Sequence, residues 1–206
     1  MSAGRDVSSA PLEPAGPADR RTNRSLVVVS VGTDHHRFDR LVQWMDGWAL
    51  GNRAVRVVVQ RGSAEPTRSA ESQPLVPHGE LCALFAEATA VVVHGGPSTV
   101  MDARAAGRLP IVMPRDPDRG EHVDDHQLRF ADHLSRHGLA RVVRARDELL
   151  AAIGEAIADP SAFRVADDAQ PPPGIVGFGR VLDELLGAAT PLRNDWLAPG
   201  DVEVGR

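Results

Sequence analysis

The chain has no lysine: all 23 of its basic residues are arginine. Against 28 acidic residues this leaves a net charge of −5 and a pI of about 5.9. A broad basic surface of the kind that holds nucleic acid is therefore excluded. The arginine-only usage reads as codon bias rather than function. There is one cysteine, Cys82, so an internal disulfide is impossible and a reducing compartment fits. No apolar run approaches the roughly 18 residues of a membrane span. The N-terminus has no apolar core for a signal peptide, so a cytoplasmic location is expected. What is present is ordinary globular usage over 206 residues, 42% hydrophobic and 25% charged. That is enough for one α/β domain and some tail.

Residues 1–24 are rich in Pro, Gly, Ser and charge and are expected to be a disordered tail. From Leu26 the pattern alternates. Short apolar runs at Leu26–Val31, Val55–Val59, Ala90–Val93, Leu109–Met113 and Ala140–Val143 read as strands buried on both faces. Helix-period stretches fall between them, at about 37–50, 79–88, 98–106, 122–137 and 146–158. Such alternation predicts a Rossmann-like α/β domain over 25–160, a parallel sheet with helices on both faces. Segment 61–73 is polar and reads as a loop. Over 161–206 the composition shifts. Three prolines at 171–173 suggest a stiff linker, and apolar residues from Val176 to Leu186 predict a short amphipathic helix over about 176–188 before a loose C-terminus.

In open parallel sheets ligands bind at the carboxyl ends of strands, and three segments fall there. The first, Gly32-Thr33-Asp34-His35-His36, follows strand one. It suits a phosphate at a helix start, or it is an ordinary glycine turn, since no G-x-G-x-x-G and no P-loop lysine accompany it. The second is His94-Gly95-Gly96-Pro97-Ser98-Thr99. Ser98 or Thr99 can cap the next helix, and Asp102 lies one turn in, placed either to accept two hydrogen bonds from a sugar diol or to complement the helix dipole. The third runs from Pro114-Arg115 to Glu121-His122-Val123-Asp124-Asp125-His126-Gln127. Asp124 or Asp125 suits a cap, and His126-Gln127 offers sugar-sized hydrogen-bond partners.

A zinc site on His122 and His126 is a rival reading, but the glutamate that H-E-x-x-H requires is Val123 here. A serine hydrolase lacks its G-x-S-x-G elbow. Cys82, Trp44 and Trp48 read as packing residues.

Taken in order, Val31-Gly32-Thr33, Phe38-Asp39-Arg40-Leu41-Val42, Gln60-x-Gly62, His94 through Thr99, Pro114-Arg115 and Glu121 through Gln127 resemble the C-terminal domain of glycosyltransferase family 28. The likeness covers about residues 26–158. It is to the catalytic subunit of two-component bacterial exopolysaccharide and capsule glycosyltransferases and to that of the dolichol-linked GlcNAc transferase. The C-terminal half of the peptidoglycan lipid-intermediate GlcNAc transferase is similar too.

The resemblance implies the donor half of a GT-B fold. It implies a UDP-sugar-dependent hexosyltransferase that inverts and uses neither metal nor cofactor. The acceptor would be a lipid-linked or other glycan. By position, Gly32 and Thr33 would face the diphosphate, with His94, Gly95, Gly96, Pro97, Ser98 and Thr99 lining it. The Pro77-His78 turn would lie against uracil, Asp102 would hold the ribose, and His126 and Gln127 the sugar. Arg115 would add a cation, and the base would be Asp34, His35 or a group from the other half of the active site. Since 206 residues are too few for both halves, the resemblance also implies a membrane-associated acceptor-binding partner subunit. Membrane contact, at the inner face, would come only through it. Capsule relatives read G-T-H-E-Q-P-F where this chain has Gly32-Thr33-Asp34-His35-His36-Arg37-Phe38, and Asp102 is one methylene shorter than their glutamate. An alternative is therefore a catalytically impaired nucleotide-sugar-binding or scaffold module. A metal-dependent hydrolase is another.

Overall fold

The computed structural model describes residues 24–165. The expected N-terminal tail up to residue 23, the proline-rich linker and the helix expected over about 176–188 lie outside the described residues. The elements are β1 (Leu26–Ser30), α1 (Asp39–Gly51), β2 (Arg56–Gln60), β3 (Glu71–Gln73), α2 (His78–Glu87), β4 (Ala90–Val93), α3 (Pro97–Ala105), β5 (Ile111–Val112), α4 (His126–Arg136), β6 (Arg141–Val142) and α5 (Arg146–Ala158). They form one six-stranded sheet in the order β3-β2-β1-β4-β5-β6, parallel throughout.

Alternate residues of the central strands explain the two covering layers. Val27 and Val29 of β1, Val57 and Val59 of β2 and Val92 of β4 face one way, onto Leu41 and Met45 of α1 and Leu149 and Ile153 of α5. Val28, Val58, Val91 and Val93 face the other way, onto Leu81 and Phe85 of α2, Val100 of α3 and Phe130 and Leu134 of α4. Both faces are buried, which is why these strands read as continuous apolar runs. β1 leads on to β2 on one side and β4 to β5 on the other. The carboxyl ends of β1 and β4 thus form the switch point where a crevice opens.

Three expectations need correction. The stretch read as a loop contains β3, which pairs with β2 through Val58↔Glu71, Val59↔Ser72 and Gln60↔Gln73. Its residues are polar because it is an exposed edge. The helix expected from 122 begins only at His126, because 121–125 is a loop in which the Asp124 carboxylate accepts the His126 amide at 3.2 Å. β5 and β6 are also shorter than their apolar runs, two residues each.

Candidate functional site

A cleft of about 610 Å³ opens at the switch point. Gly32, Thr33 and Asp34 line it from the loop after β1, and His94, Gly96, Ser98, Thr99 and Asp102 from β4 and α3. Pro77 and His78 close one end, while His122, His126 and Gln127 close the other. Gln60, Leu75, Val76 and Leu81 also line it, and only Gln60 stands in a segment that the sequence singles out.

The ring of His94 occupies the middle of the cleft floor. It is 8% exposed and sits against both loop glycines. A Cβ on Gly32 would lie 2.5 Å from its Cε1, and one on Gly96 2.1 Å from its Nε2. Gly32 also has φ +76°, a conformation that side chains rarely adopt. These glycines therefore make room for an imidazole. Burial, with the nearby Arg115 charge, pushes the His94 pKa down to about 4, so the ring is neutral.

Two of the amides expected to face an anion are engaged inside the protein. The Gly32 amide donates to Ser30 Oγ at 3.3 Å, and the Gly95 amide donates to Gln127 Oε1 at 3.1 Å. Gly95 and Pro97 do not line the cleft, and a Cβ on Gly95 would lie 2.9 Å from Gln127 Cβ. The helix start remains. α3 begins at Pro97 with Gly96 at the N-cap and no side chain capping it, so neither Ser98 nor Thr99 takes the expected capping role. The amides of Ser98 and Thr99 are first-turn donors with no acceptor four residues back, and both residues line the cleft. The dipole of α3 adds partial positive charge there.

Gln60 and Gln127 tie the loops together. Buried Gln60 donates from Nε2 to Ser30 Oγ (3.1 Å) and Gly32 O (3.4 Å) and accepts from the Val76 amide (3.0 Å). Gln127 Oε1 accepts from both the Gly95 and Arg115 amides, at 3.1 and 3.2 Å. Its carbonyl being so engaged, what Gln127 offers the cleft is its NH₂ group.

Arg115 is fully buried and does not line the cleft. Nη1 donates to His36 O (2.7 Å) and Glu121 O (3.0 Å), Nη2 to Val31 O (2.8 Å), and its guanidinium lies 5.0 Å from the Phe38 ring centroid. The expectation that it binds substrate is therefore corrected: its fork ties the loop after β1, at Val31 and His36, to the loop before α4, at Glu121, and the whole side chain is buried away from the cleft. Beside it, Arg40 makes a bidentate pair with buried Glu121, both contacts 2.7 Å, and Glu121 also accepts the Asp116 amide. Arg40, Arg115 and Glu121, three residues of the recognised segments, act as a strut beneath the site.

Asp34 lines the cleft, but the ring of His35 does not; it is 85% exposed and stacked on His36 at 4.0 Å. His35 is thus displaced from its expected place, and His122 is the histidine on that wall. Burial alone would raise the pKa of Asp34. The His36 amide and ring, each 2.7 Å away, and the Arg115 charge outweigh it and hold the carboxyl at about 2. His122 Nε2 faces Asp34 Oδ2 at 3.5 Å, and its Nδ1 faces Asp124 Oδ1 at 3.4 Å. Burial, with His126 close by, lowers the His122 pKa. At the other end, Asp102 Oδ2 lies 3.2 Å from His78 Nε2, which is 3.5 Å from Cys82 Sγ. Cys82 is half-buried on this rim rather than in the core, and burial together with the Asp102 charge raises its pKa. Three groups among the described residues bring metal-ligand atoms within 4.8 Å of one another: Asp34–His35–His36, His78–Cys82–Asp102 and His122–Asp124–His126.

The buried His94 predicts an acid-sensitive fold. Its ordinary pKa of 6.5 falls to about 4 on folding, so the unfolded chain takes up the proton first. Stability is complete above 6.5 and drains away as pH falls towards 4, by about 3 kcal/mol in all. His122 acts in the same direction. Asp34 contributes only later, as pH falls from 3.8 towards 2. Urea midpoints measured between pH 7.5 and 4 check this; a flat profile would contradict the buried neutral ring.

A profile of the glycosyltransferase family 28 C-terminal domain matches residues 26–171. No curated protein sequence matches. Among solved structures the chain is similar to the glycotransferase of kitacinnamycin, with a TM-score of 0.52 and 21% identity over 78% of this chain and 40% of that one. It is likewise similar to CalG4, the calicheamicin glycosyltransferase, with a TM-score of 0.52 and 19% identity over 72% of this chain and 38% of that one. These likenesses show the fold, that of one half of a GT-B glycosyltransferase. The matched part spans about two fifths of each of those two proteins. Among the described residues no helix is long and apolar enough to cross a membrane.

Proposed function

Because the chain belongs to the glycosyltransferase family 28 C-terminal domain family, we propose that its cleft binds a UDP-sugar and passes the hexosyl group, with inversion, to a lipid-linked or other glycan acceptor. One observation carries the reading: the loop after β1, the uncapped start of α3 and Gln127 share a single cleft at the switch point. The diphosphate lies at the Ser98 and Thr99 amides, and the dipole of α3 stabilises the charge that grows as UDP leaves. The ribose hydroxyls meet Asp102, and uracil meets the Pro77-His78 turn. The Gln127 NH₂ group, with His126 beside it, holds the sugar.

The bond from the anomeric carbon to the UDP oxygen breaks, and its electron pair goes to the diphosphate. The acceptor oxygen bonds to that carbon from the opposite face, and its proton passes to Asp34. A carboxylate held near 2 is a weak base. It suffices because the hydroxyl becomes strongly acidic as its oxygen attaches to an oxocarbenium-like centre. The resemblance to the catalytic subunits of two-component glycosyltransferases supports an acceptor surface on a membrane-associated partner subunit, which also brings the domain to the inner face of the membrane.

Calorimetry with UDP, UDP-GlcNAc, UDP-galactose and UDP-glucuronate tests the donor. Weak binding of UDP and of one UDP-sugar is expected, with turnover only in the presence of a partner. Gln127→Glu keeps an oxygen for the Gly95 and Arg115 amides but removes the NH₂ donor. It should weaken the UDP-sugar about tenfold more than UDP, the worth of one hydrogen bond. Absence of UDP binding would sink the proposal, and full transfer by the chain alone would remove the partner.

A further inference from the structure

Six of the chain's eight histidines stand in or beside one cleft: His35, His36, His78, His94, His122 and His126. His122 and His126 are the most closely associated with shared oxygens. Their rings meet edge to face at 4.5 Å, and both approach the same carboxylate oxygen. We propose that His122, Asp124 and His126 bind a borderline transition-metal cation such as Zn²⁺, and that Asp34 is the carboxylate that orients His122.

The spacing fits. One ring nitrogen each of His122 and His126 and a carboxylate oxygen of Asp124 all lie within 4.8 Å of one another. His122 Nδ1 is 3.4 Å from Asp124 Oδ1. That matches the edge of a tetrahedron with metal–ligand bonds of about 2.1 Å, roughly 3.4 Å. His126 Nδ1 touches the same oxygen in a very short hydrogen bond. The proton shared there is what a cation would replace, and the ring then swings out by a small rotation. Among the described residues His122 Nδ1 also accepts the Asp124 amide, at a long 3.4 Å.

The second layer fits as well. An imidazole bound to metal through one nitrogen carries hydrogen on the other and needs an acceptor for it. His122 Nε2 faces Asp34 Oδ2 at 3.5 Å, and Asp34 is itself fixed by the amide and ring of His36. A set of two nitrogens and one oxygen suits zinc and leaves a coordination position open. His122 and His126 line the cleft and Asp124 does not, so that position borders the cleft. The other two groups are poorer. In the first, the His35 ring is turned outward and 85% exposed. The His78–Cys82–Asp102 group is joined only by contacts of 3.2 and 3.5 Å at an exposed ring.

The test needs neither nucleotide nor transfer activity, so its failure leaves the donor reading untouched. Tag-free protein stripped by a chelator is dialysed against Zn²⁺, and Co²⁺ is followed by its visible absorption. One ion per chain is expected, with the intense bands of a low-coordinate cobalt site. His122→Gln and His126→Gln should each weaken binding a hundredfold or more, and Asp34→Asn about tenfold. Far-UV circular dichroism checks folding, and the more exposed His126 keeps the test decisive should the His122 variant fail to fold. His78→Gln and His137→Gln should bind as the parent does. No retained ion, or an affinity that follows His78 or the His133/His137 pair instead, would overturn the proposal.

Discussion

Arg115→Met is expected to lower the free energy of unfolding by about 4 kcal/mol and to abolish nucleotide binding. Replacing a buried charge by an apolar chain is often harmless when its partner charge goes too. Here the partners are carbonyls, those of Val31, His36 and Glu121. Those of Val31 and Glu121 would remain buried without a donor, at about 1–3 kcal/mol each before relaxation. The three carbonyls belong to the loops that frame the cleft, so the loss is felt as separation of its walls. Arg115→Lys separates two roles. If the cation acts on the diphosphate by charge, lysine preserves binding. If it acts as a fork between loops, one ammonium cannot reach three carbonyls fixed by a planar guanidinium. We expect lysine to rescue neither urea stability nor calorimetric binding of UDP; rescue of both would restore Arg115 to the substrate.

Gly96→Ala is expected to cost about 3 kcal/mol, at the upper end of overpacking, and to weaken UDP binding at least tenfold. The new methyl would sit 2.1 Å from Nε2 of a ring that is itself buried. Something must move, and the candidates are the His94 ring or the start of α3. The double variant with His94→Ala discriminates. Removing the ring relieves the clash, so the pair should be less damaging than the sum of its members, with a coupling of about 1–3 kcal/mol. Gly32→Ala makes the contrast, because its φ of +76° strains any side chain whether or not the ring is present. Its cost should therefore be rescued only in part. Additive behaviour in the Gly96 pair would mean that the imidazole does not fill the gap between the glycines.

The sheet was legible because its central strands are buried on both faces and carry a continuous apolar run from Leu26 to Val31, from Val55 to Val59 and from Ala90 to Val93. β3 was not, since Glu71, Ser72 and Gln73 bury little and are placed by backbone hydrogen bonds to β2. The site was half legible. Glycines after strands, and polar residues at helix starts, do gather at one crevice. Which amide remains available cannot be read from spacing, because Ser30 and Gln127 engage the obvious ones through side chains. The same holds for the strut. Arg40 and Glu121 stand 81 positions apart and show no local pattern. Their place among the recognised segments is architectural. His94 as a filler of space had no signal beyond the two glycines beside it.

Gly96 at the N-cap of α3 also limits how far the domain can be stabilised. Serine or aspartate at that position ordinarily strengthens a protein by about 1 kcal/mol. At Gly96 the Cβ that either residue brings would collide with a ring packed into the floor. The common route to a sturdier helix is thus sterically barred, and its first donors cannot be silenced by a neighbour in the chain. Attempts to harden this domain against heat would have to work through α1, α5 or the β3 edge, leaving the rim as soft as its task demands.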